Sequence, residues 1–342
     1  MAKRKLTRKQ IWRTQKIQQE RLARAQKKAQ ISTESLQQGE LGTEQEGLIV
    51  ARYGAAVDVE DHAQQIYRCI LRQNLGSLVC GDRVVWQQNQ TRGGVVTALI
   101  PRKSVLARPD ACHTMVPVAA NIDQLFIVSG ITPGIDNYLI DRYLVAAELT
   151  DIKPCLIINK VDLLIASARH KLEKKLAHYE RIGYPMIFTS TQKDGGMDAL
   201  NQLLEHKTSV FVGVSGAGKS SITQWLHPDL AIRTGALSRT TGLGRHTTST
   251  TQLYHLPNGG ALIDSPGVRE FELSNYSGTE VAAGFREFRE LLGHCRFNNC
   301  AHMAEPGCAL KEQVEAGAIS AERVQNYLRI VASLTDKPRL RQ

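Results

Sequence analysis

Hydrophobic and polar positions change their rhythm twice along the chain. Residues 47–101 carry short apolar stretches ("GLIVARYGAAVDVED", "QQIYRCILRQ", "DRVVWQQ", "GGVVTALIP") broken by Gly, Asn and Asp. Short runs between turn residues predict four or five β-strands. That many strands in about 60 residues point to a small barrel of the OB type, an SH3-like barrel giving much the same pattern. From about residue 120, apolar runs ("QLFIVSG", "CLIINK", "PMIFTS", "SVFVGVSG", "GALIDS") alternate with helical segments such as "NYLIDRYLVAAEL" and "ARHKLEKKLAHYERIG". This alternation predicts βα units around a buried, mostly parallel sheet. Past residue 276 the strands stop, and a helix is predicted with Val324, Tyr327, Leu328 and Val331 on one face. No internal repeat is visible.

Composition adds limits. With 342 residues and 42% hydrophobic content, the chain has room for two or three domains with real cores. No apolar run reaches the roughly 18 residues of a membrane span, and the N-terminus lacks the apolar region of a secretory signal. An Arg-rich, acid-poor start also admits a mitochondrial transit peptide. Its Lys and Gln content and weak amphipathicity favour a cytoplasmic protein instead.

The net charge of +10 is unevenly placed: residues 1–30 hold eleven Lys/Arg and a single acid, Glu20, and the remainder is formally balanced. Such arms are generally disordered, and many contact nucleic acid; a merely solubilising tail is the plainer alternative.

The chemistry begins with "GVSGAGKS", which fits G-x-x-x-x-G-K-[ST] between an apolar strand and a helix. Backbone N–H groups of Gly213, Val214, Ser215, Gly216, Ala217 and Gly218 would wrap phosphates at a helix N-terminus. Lys219 would reach the β- and γ-phosphates, Ser220 would ligate Mg²⁺, and Ser221 is a further candidate nucleotide-binding residue. This motif alone specifies only a nucleoside triphosphate.

"ALIDSPG" adds Asp264 at a strand end, facing Mg²⁺ through water, and Gly267, able to present an N–H to the γ-phosphate. "NKVD" adds Asn159, Lys160 and Asp162. An Asp carboxylate there accepts from guanine N1–H and the exocyclic amine; adenine would leave it facing an acceptor, at a cost of about 1–3 kcal/mol or more. "FTSTQKDGG", with Ser190 and Thr191, resembles the loop that supports the base from its other face. The plain alternative for "NKVD" is a strand-end turn, since Asn and Asp favour loops.

These parts occur in an unusual order. Guanine tetrapeptide, base-supporting loop, phosphate loop, Thr-rich segment and D-x-x-G form the usual GTPase series cut once and rejoined, which surface termini tolerate.

Of seven cysteines, Cys69, Cys80, Cys112 and Cys155 are scattered near apolar strands and read as buried thiols. Cys295, Cys300 and Cys308 cluster with two histidines, His294 and His302. Three thiolates and one imidazole make a closed tetrahedral Zn²⁺ set, structural in kind, with metal coupled to folding.

Taken together, the barrel, "NIDQ" at 121–124, "NKVD", "GVSGAGKSS", "GRHTTST", "DSPG" and the Cys/His cluster resemble the RsgA (YjeQ/EngC) family of circularly permuted GTPases over residues 45–310 or so. The expected organisation is multi-domain: a basic arm and linker (1–44), an OB-like β-barrel (45–108), a circularly permuted α/β P-loop GTPase domain (109–275) and a mainly helical zinc-binding module (276–342).

The resemblance implies GTP hydrolysis to GDP with Mg²⁺, one structural Zn²⁺ on Cys295, Cys300, His302 and Cys308, and binding to the small ribosomal subunit through its rRNA late in assembly. Its spacing favours His302 over His294. Other assembly factors are further candidate partners, no membrane is implied, and a monomer is expected.

Many GTPases place a water-orienting Gln after D-x-x-G; here that position is Val268. "GRHTTST" offers His246 for that role, as the resemblance also suggests, and either Thr247 or Thr248 to meet Mg²⁺ and the γ-phosphate. An exposed loop histidine without chemistry is the plain alternative. Val268 also leaves room for a GTP-sensing RNA scaffold, and the phosphate loop alone for a P-loop kinase.

Overall fold

The computed structural model describes residues 41–72, 75–89, 93–110, 114–228, 251–264, 273–303 and 305–335. Its contacts divide the chain into two compact units: barrel strands, and everything from Pro101 onward together with residues 49–53 and 77–82.

The barrel comprises β1 (Glu44–Tyr53), β2 (Ala56–Glu60), β3 (Ile66–Leu71), β4 (Arg83–Gln88) and β5 (Gly93–Leu99). The strand order β1-β2-β3-β5-β4 closes through β1–β4 pairing, with β3 parallel to β5 and β4 antiparallel to it. This closed five-stranded order is the OB type.

Its interior is organised by Trp86, fully buried. Gly47 is needed beside it, because a Cβ there would stand 2.7 Å from the indole nitrogen and 2.4 Å from Val59. Strand pairing stops at Leu99. Residues 105–108, grouped with the barrel on sequence, belong to β6 (Val105–Pro109), which forms a separate hairpin with β7 (Met115–Ala120).

The second unit is built on a sheet of order β10-β9-β8-β11-β13-β12. It contains β8 (Gln124–Gly130), β9 (Lys153–Asn159), β10 (Met186–Thr189), β11 (Thr208–Val212), β12 (Gln252–His255) and β13 (Ala261–Asp264). All are parallel except β12, which runs antiparallel to β13. β8 is buried throughout and β9 in all but its first residue, as a sheet covered on both faces requires. Phe126, Val128, Ile157, Leu200, Ile222 and Leu262 belong to one core cluster. Cys69, Cys80 and Cys155 are buried free thiols, as expected; Cys112 lies outside the described residues.

Helices α1 (Asn137–Leu149), α2 (Ala166–Arg181), α3 (Asp198–Leu204) and α4 (Lys219–Leu226) connect these strands. Parallel register brings Gly130, Asn159 and Thr189 level at the carboxyl ends of β8, β9 and β10, with Gly213 following β11. Open parallel sheets bind ligands at that edge.

The C-terminal module follows with α5 (Gly278–Ala283), a 3₁₀ turn over Arg286–Leu291, α6 (Ala309–Glu315) and α7 (Ala321–Thr335). α7 was expected to bury Val324, Tyr327, Leu328 and Val331. Val324, Tyr327 and Ile330 are buried, with Arg323 and Asn326 beside them, while Leu328 and Val331 are half-buried. The apolar stripe is therefore turned toward α1, where Asp141 supplies a buried partner.

Arg323 donates to Asp141 at 2.6 Å and to Glu287 at 2.7 and 2.9 Å; Asn326 and Tyr179 also donate to Asp141, at 2.7 and 2.8 Å. Arg286 and Arg289 both reach Glu148 of α1, each at 2.7 Å. No helix among the described residues is long and apolar enough to cross a membrane.

Candidate functional site

Three strand ends converge through hydrogen bonds rather than through proximity in sequence. Asn159 is buried, and its side-chain amide donates to the Ala217 carbonyl at 3.0 Å while its Oδ1 accepts from Thr189 Oγ1 at 3.1 Å. One residue of the tetrapeptide thus ties the phosphate loop, 58 positions away, to β10.

Lys160 follows with φ 66°, a left-handed conformation that non-glycine residues seldom adopt. That turn carries its ammonium to the Thr132 and Gly216 carbonyls, at 2.9 and 2.6 Å. Asp162 is half-buried. Its Oδ1 accepts from Ser190 Oγ at 2.6 Å, and Ser190 Oγ accepts from Gln192 N–H at 3.1 Å. A carboxylate aligned through one oxygen keeps the other for a ligand's paired N–H donors, which is the donor pattern of guanine.

The phosphate loop needs its glycines at two of these contacts. A Cβ on Gly213 (φ +134°) would sit 2.0 Å from the Val128 carbonyl oxygen, and one on Gly218 (φ +103°) 2.2 Å from the Asn159 amide nitrogen. Lys219 Nζ donates to the Gly213 and Val214 carbonyls at 2.6 and 2.7 Å, so the ammonium lies over its own loop. Ser215, Gly216, Ser220 and Ser221 are exposed, and Ala217 is buried. Gly218 precedes α4 as its N-cap, so the loop ends on a helix N-terminus with its partial positive charge.

Asp264 ends β13 exposed; the pairing of Ile263 with Val210 puts it level with Phe211, two residues short of Gly213. Gly267, His246, Thr247, Thr248 and Val268 lie outside the described residues. An oriented carboxylate, a glycine-lined loop, an ammonium and a hydroxyl at a helix start make a set that fits a guanine nucleotide with Mg²⁺.

The second cluster is Cys295, Cys300, His302 and Cys308, whose ligand atoms lie within 4.8 Å of one another. His302 Nδ1 stands 3.5 Å from Cys295 Sγ and 3.4 Å from Cys308 Sγ. With Zn–S near about 2.3 Å and Zn–N near about 2.0 Å, tetrahedral ligand edges come to roughly 3.5–4 Å, so the donor set fits zinc. His294 is not in the cluster.

Backbone bonds shape the loop: Arg296 N–H donates to Gly307 O at 2.9 Å, and Glu305 accepts from Ala301 and Met303 N–H groups at 3.0 and 2.9 Å. Burial lowers the His302 pKa, keeping the imidazole neutral, the form that ligates metals.

Motif reading missed the residues that join these sites. Thr132 anchors Lys160, and Asn137, at the start of α1, donates to Glu322 of α7 at 2.9 Å. The i, i+3, i+4 spacing of Asn137, Ile140, Asp141 and Leu144 marks the buried face of α1 and was the available signal.

This is a P-loop GTPase domain whose guanine-reading half precedes its phosphate-binding half in the chain, a circularly permuted arrangement. Residues 99–274 match the family model described as RsgA GTPase. The chain is 50% identical over 340 residues to the small ribosomal subunit biogenesis GTPase RsgA of Azotobacter vinelandii, with 98% of this chain and 99% of that one covered. It is 49% identical to the protein of the same name from Ectopseudomonas mendocina, over the same shares of both chains. Among solved structures it resembles YjeQ from Thermotoga maritima (31% identity, TM-score 0.72, 86% of this chain and 100% of that one). It also resembles YloQ, a circularly permuted GTPase (28%, TM-score 0.68, 88% and 97%). The chain belongs to the RsgA GTPase family.

Proposed function

We propose that this GTPase binds the small ribosomal subunit through rRNA late in its assembly and leaves on GTP hydrolysis, which the subunit stimulates. The observation that carries the enzymatic part is the Asn159–Ala217 and Lys160–Gly216 pair of hydrogen bonds. They fix the distance between base-reading and phosphate-binding loops before any ligand arrives, so little ordering is left for nucleotide binding to supply. The ribosomal part comes from the curated relatives named for small-subunit biogenesis.

In this reading Asp162 accepts from guanine N1–H and the exocyclic amine, held in line by Ser190. The backbone from Gly213 to Gly218 cradles the phosphates, and Lys219 exchanges its loop carbonyls for β- and γ-phosphate oxygens. Ser220 and Asp264 hold Mg²⁺, with Thr247 or Thr248 and Gly267 closing on the γ-phosphate. The metal, when bound, neutralises charge developing on the phosphate oxygens. His246 orients the attacking water.

The zinc cluster is structural: no position of a four-ligand set is left for substrate. The protein works as a cytoplasmic monomer, and "DSPG", lying just ahead of the C-terminal module in the chain, makes that module the recipient of the GTP signal.

GTP turnover measured with and without purified small ribosomal subunits tests this. Stimulation of tenfold or more is expected, and His246→Ala should lose most of it while binding GTP normally. Equal, negligible rates in both conditions would replace the enzyme with a GTP-sensing RNA scaffold.

A further inference from the structure

α2 presents a surface that the nucleotide site does not use. Of its sixteen residues only Leu176 and Tyr179 are buried. At about 3.6 residues per turn, His170, Lys171, Lys174 and Arg181 fall on one stripe facing away from those two, with half-buried His178 at its edge, its ring 4.0 Å from that of Tyr179. The helix's acids, Glu173 and Glu180, lie together on the flank, where Arg169 pairs with Glu173 at 2.9 Å. The stripe itself contains no acid.

Lys171, Lys174 and Arg181 are exposed, and their side chains have no ion-pair partner among the described residues. Elsewhere several arginines pair with carboxylates, as at Arg286 and Arg289 with Glu148 or Arg102 with Asp82. These cations, set apart from the acids of the same helix, leave their charge available to an anion outside the chain.

From Lys171 to Arg181 the stripe is about 15 Å long, enough to follow successive phosphates of one strand. No large apolar side chain interrupts it, whereas a protein-binding patch has an apolar centre. At its head stand Leu163 and Ile165, 58% and 73% exposed, directly after Asp162.

We propose that the acid-free face of α2 docks the phosphate backbone of RNA, with its head beside the guanine loop. This rests on the reading of the protein as an rRNA-binding GTPase and names a second contact surface besides the basic arm.

The test compares full-length wild-type protein with the triple variant K171Q/K174Q/R181Q. Binding to purified small ribosomal subunits and to a fluorescent 20-base-pair RNA duplex is measured from 50 to 300 mM KCl. Three lost phosphate contacts should weaken binding roughly tenfold or more at 100 mM and flatten the slope of log K against log salt by about 2–3. Intrinsic GTP turnover without RNA should stay at the wild-type level, because the three side chains are outside the nucleotide site.

Equal affinity and slope for the two proteins would overturn the proposal and leave the ribosomal function standing. Failure of wild-type protein to bind subunits would overturn both. A protein occupant would show itself if L163S/I165S abolished subunit binding while the triple Gln variant bound both probes normally, and that result too overturns the proposal.

Discussion

The candidate nucleotide site and the cysteine cluster hold their functional side chains in different ways. The first sits on the ends of five parallel strands whose register is set by buried apolar residues, and side-chain-to-backbone bonds lock loop to loop. The second hangs, among the described residues, on bends and turns between Cys295 and Cys308, with Cys308 serving as N-cap of α6. A sheet can preorganise a ligand site without the ligand. On the zinc reading, a loop that presents four metal donors should depend on the metal for its own order.

The comparison breaks most sharply on metal removal. Chelation should open the segment 295–308, since structural zinc supplies on the order of 10 kcal/mol or more in small metal-organised modules. Hydrogen exchange would then reach protection near zero there while β8, β9 and β11 stay protected; an intact loop after complete zinc loss would refute the dependence.

A smaller effect is expected at the module's other anchorage. Arg323→Met leaves buried Asp141 and half-buried Glu287 without their cation, and the variant should lose about 3–5 kcal/mol in urea denaturation. A loss under 1 kcal/mol would mean that the ion cluster merely coexists with apolar packing.

The smallest effect concerns α5. The backbone N–H and then the hydroxyl of Ser277, donating to the Glu280 carboxylate, hold its pKa below the usual carboxylate value of 4.5. A depressed pKa means stabilisation present above the unfolded-state value and lost as pH falls through the folded one. Glu280→Gln should therefore remove the part of the acid-side loss that begins below pH 4.5, read as a shallower fall of α5 protection in hydrogen exchange, with little change at neutral pH.

How much of this was legible in the sequence follows the same division. Alternating apolar runs predicted the strands and their parallel packing, because burial on both faces leaves a continuous hydrophobic signature. "NKVD" and "GVSGAGKS" stood out as a candidate nucleotide site because ligand chemistry fixes residue type and spacing together, and the fold brings the two loops into hydrogen-bond contact. Asp141 and Arg323 were not legible as partners: they stand 182 positions apart, and helical spacing identifies a buried face without naming what it meets. Thr132 was hidden for a different reason, since it contributes only its backbone carbonyl. The stretch 105–108, grouped with the barrel on sequence, pairs with β7 instead, because an apolar strand does not announce which neighbour will pair with it.

The most direct test of the central claim, that a permuted chain rebuilds one guanine-reading site, is nucleotide preference in Asp162→Asn. The asparagine amide offers a donor to the C2 oxygen of xanthine and no longer accepts guanine's two N–H groups. Calorimetric titration should show wild-type protein preferring GTP to both ATP and XTP, and the variant weakening for GTP by on the order of 100-fold while gaining XTP. Unchanged GTP affinity in the variant would contradict the account, because Asp162 would then not read the base.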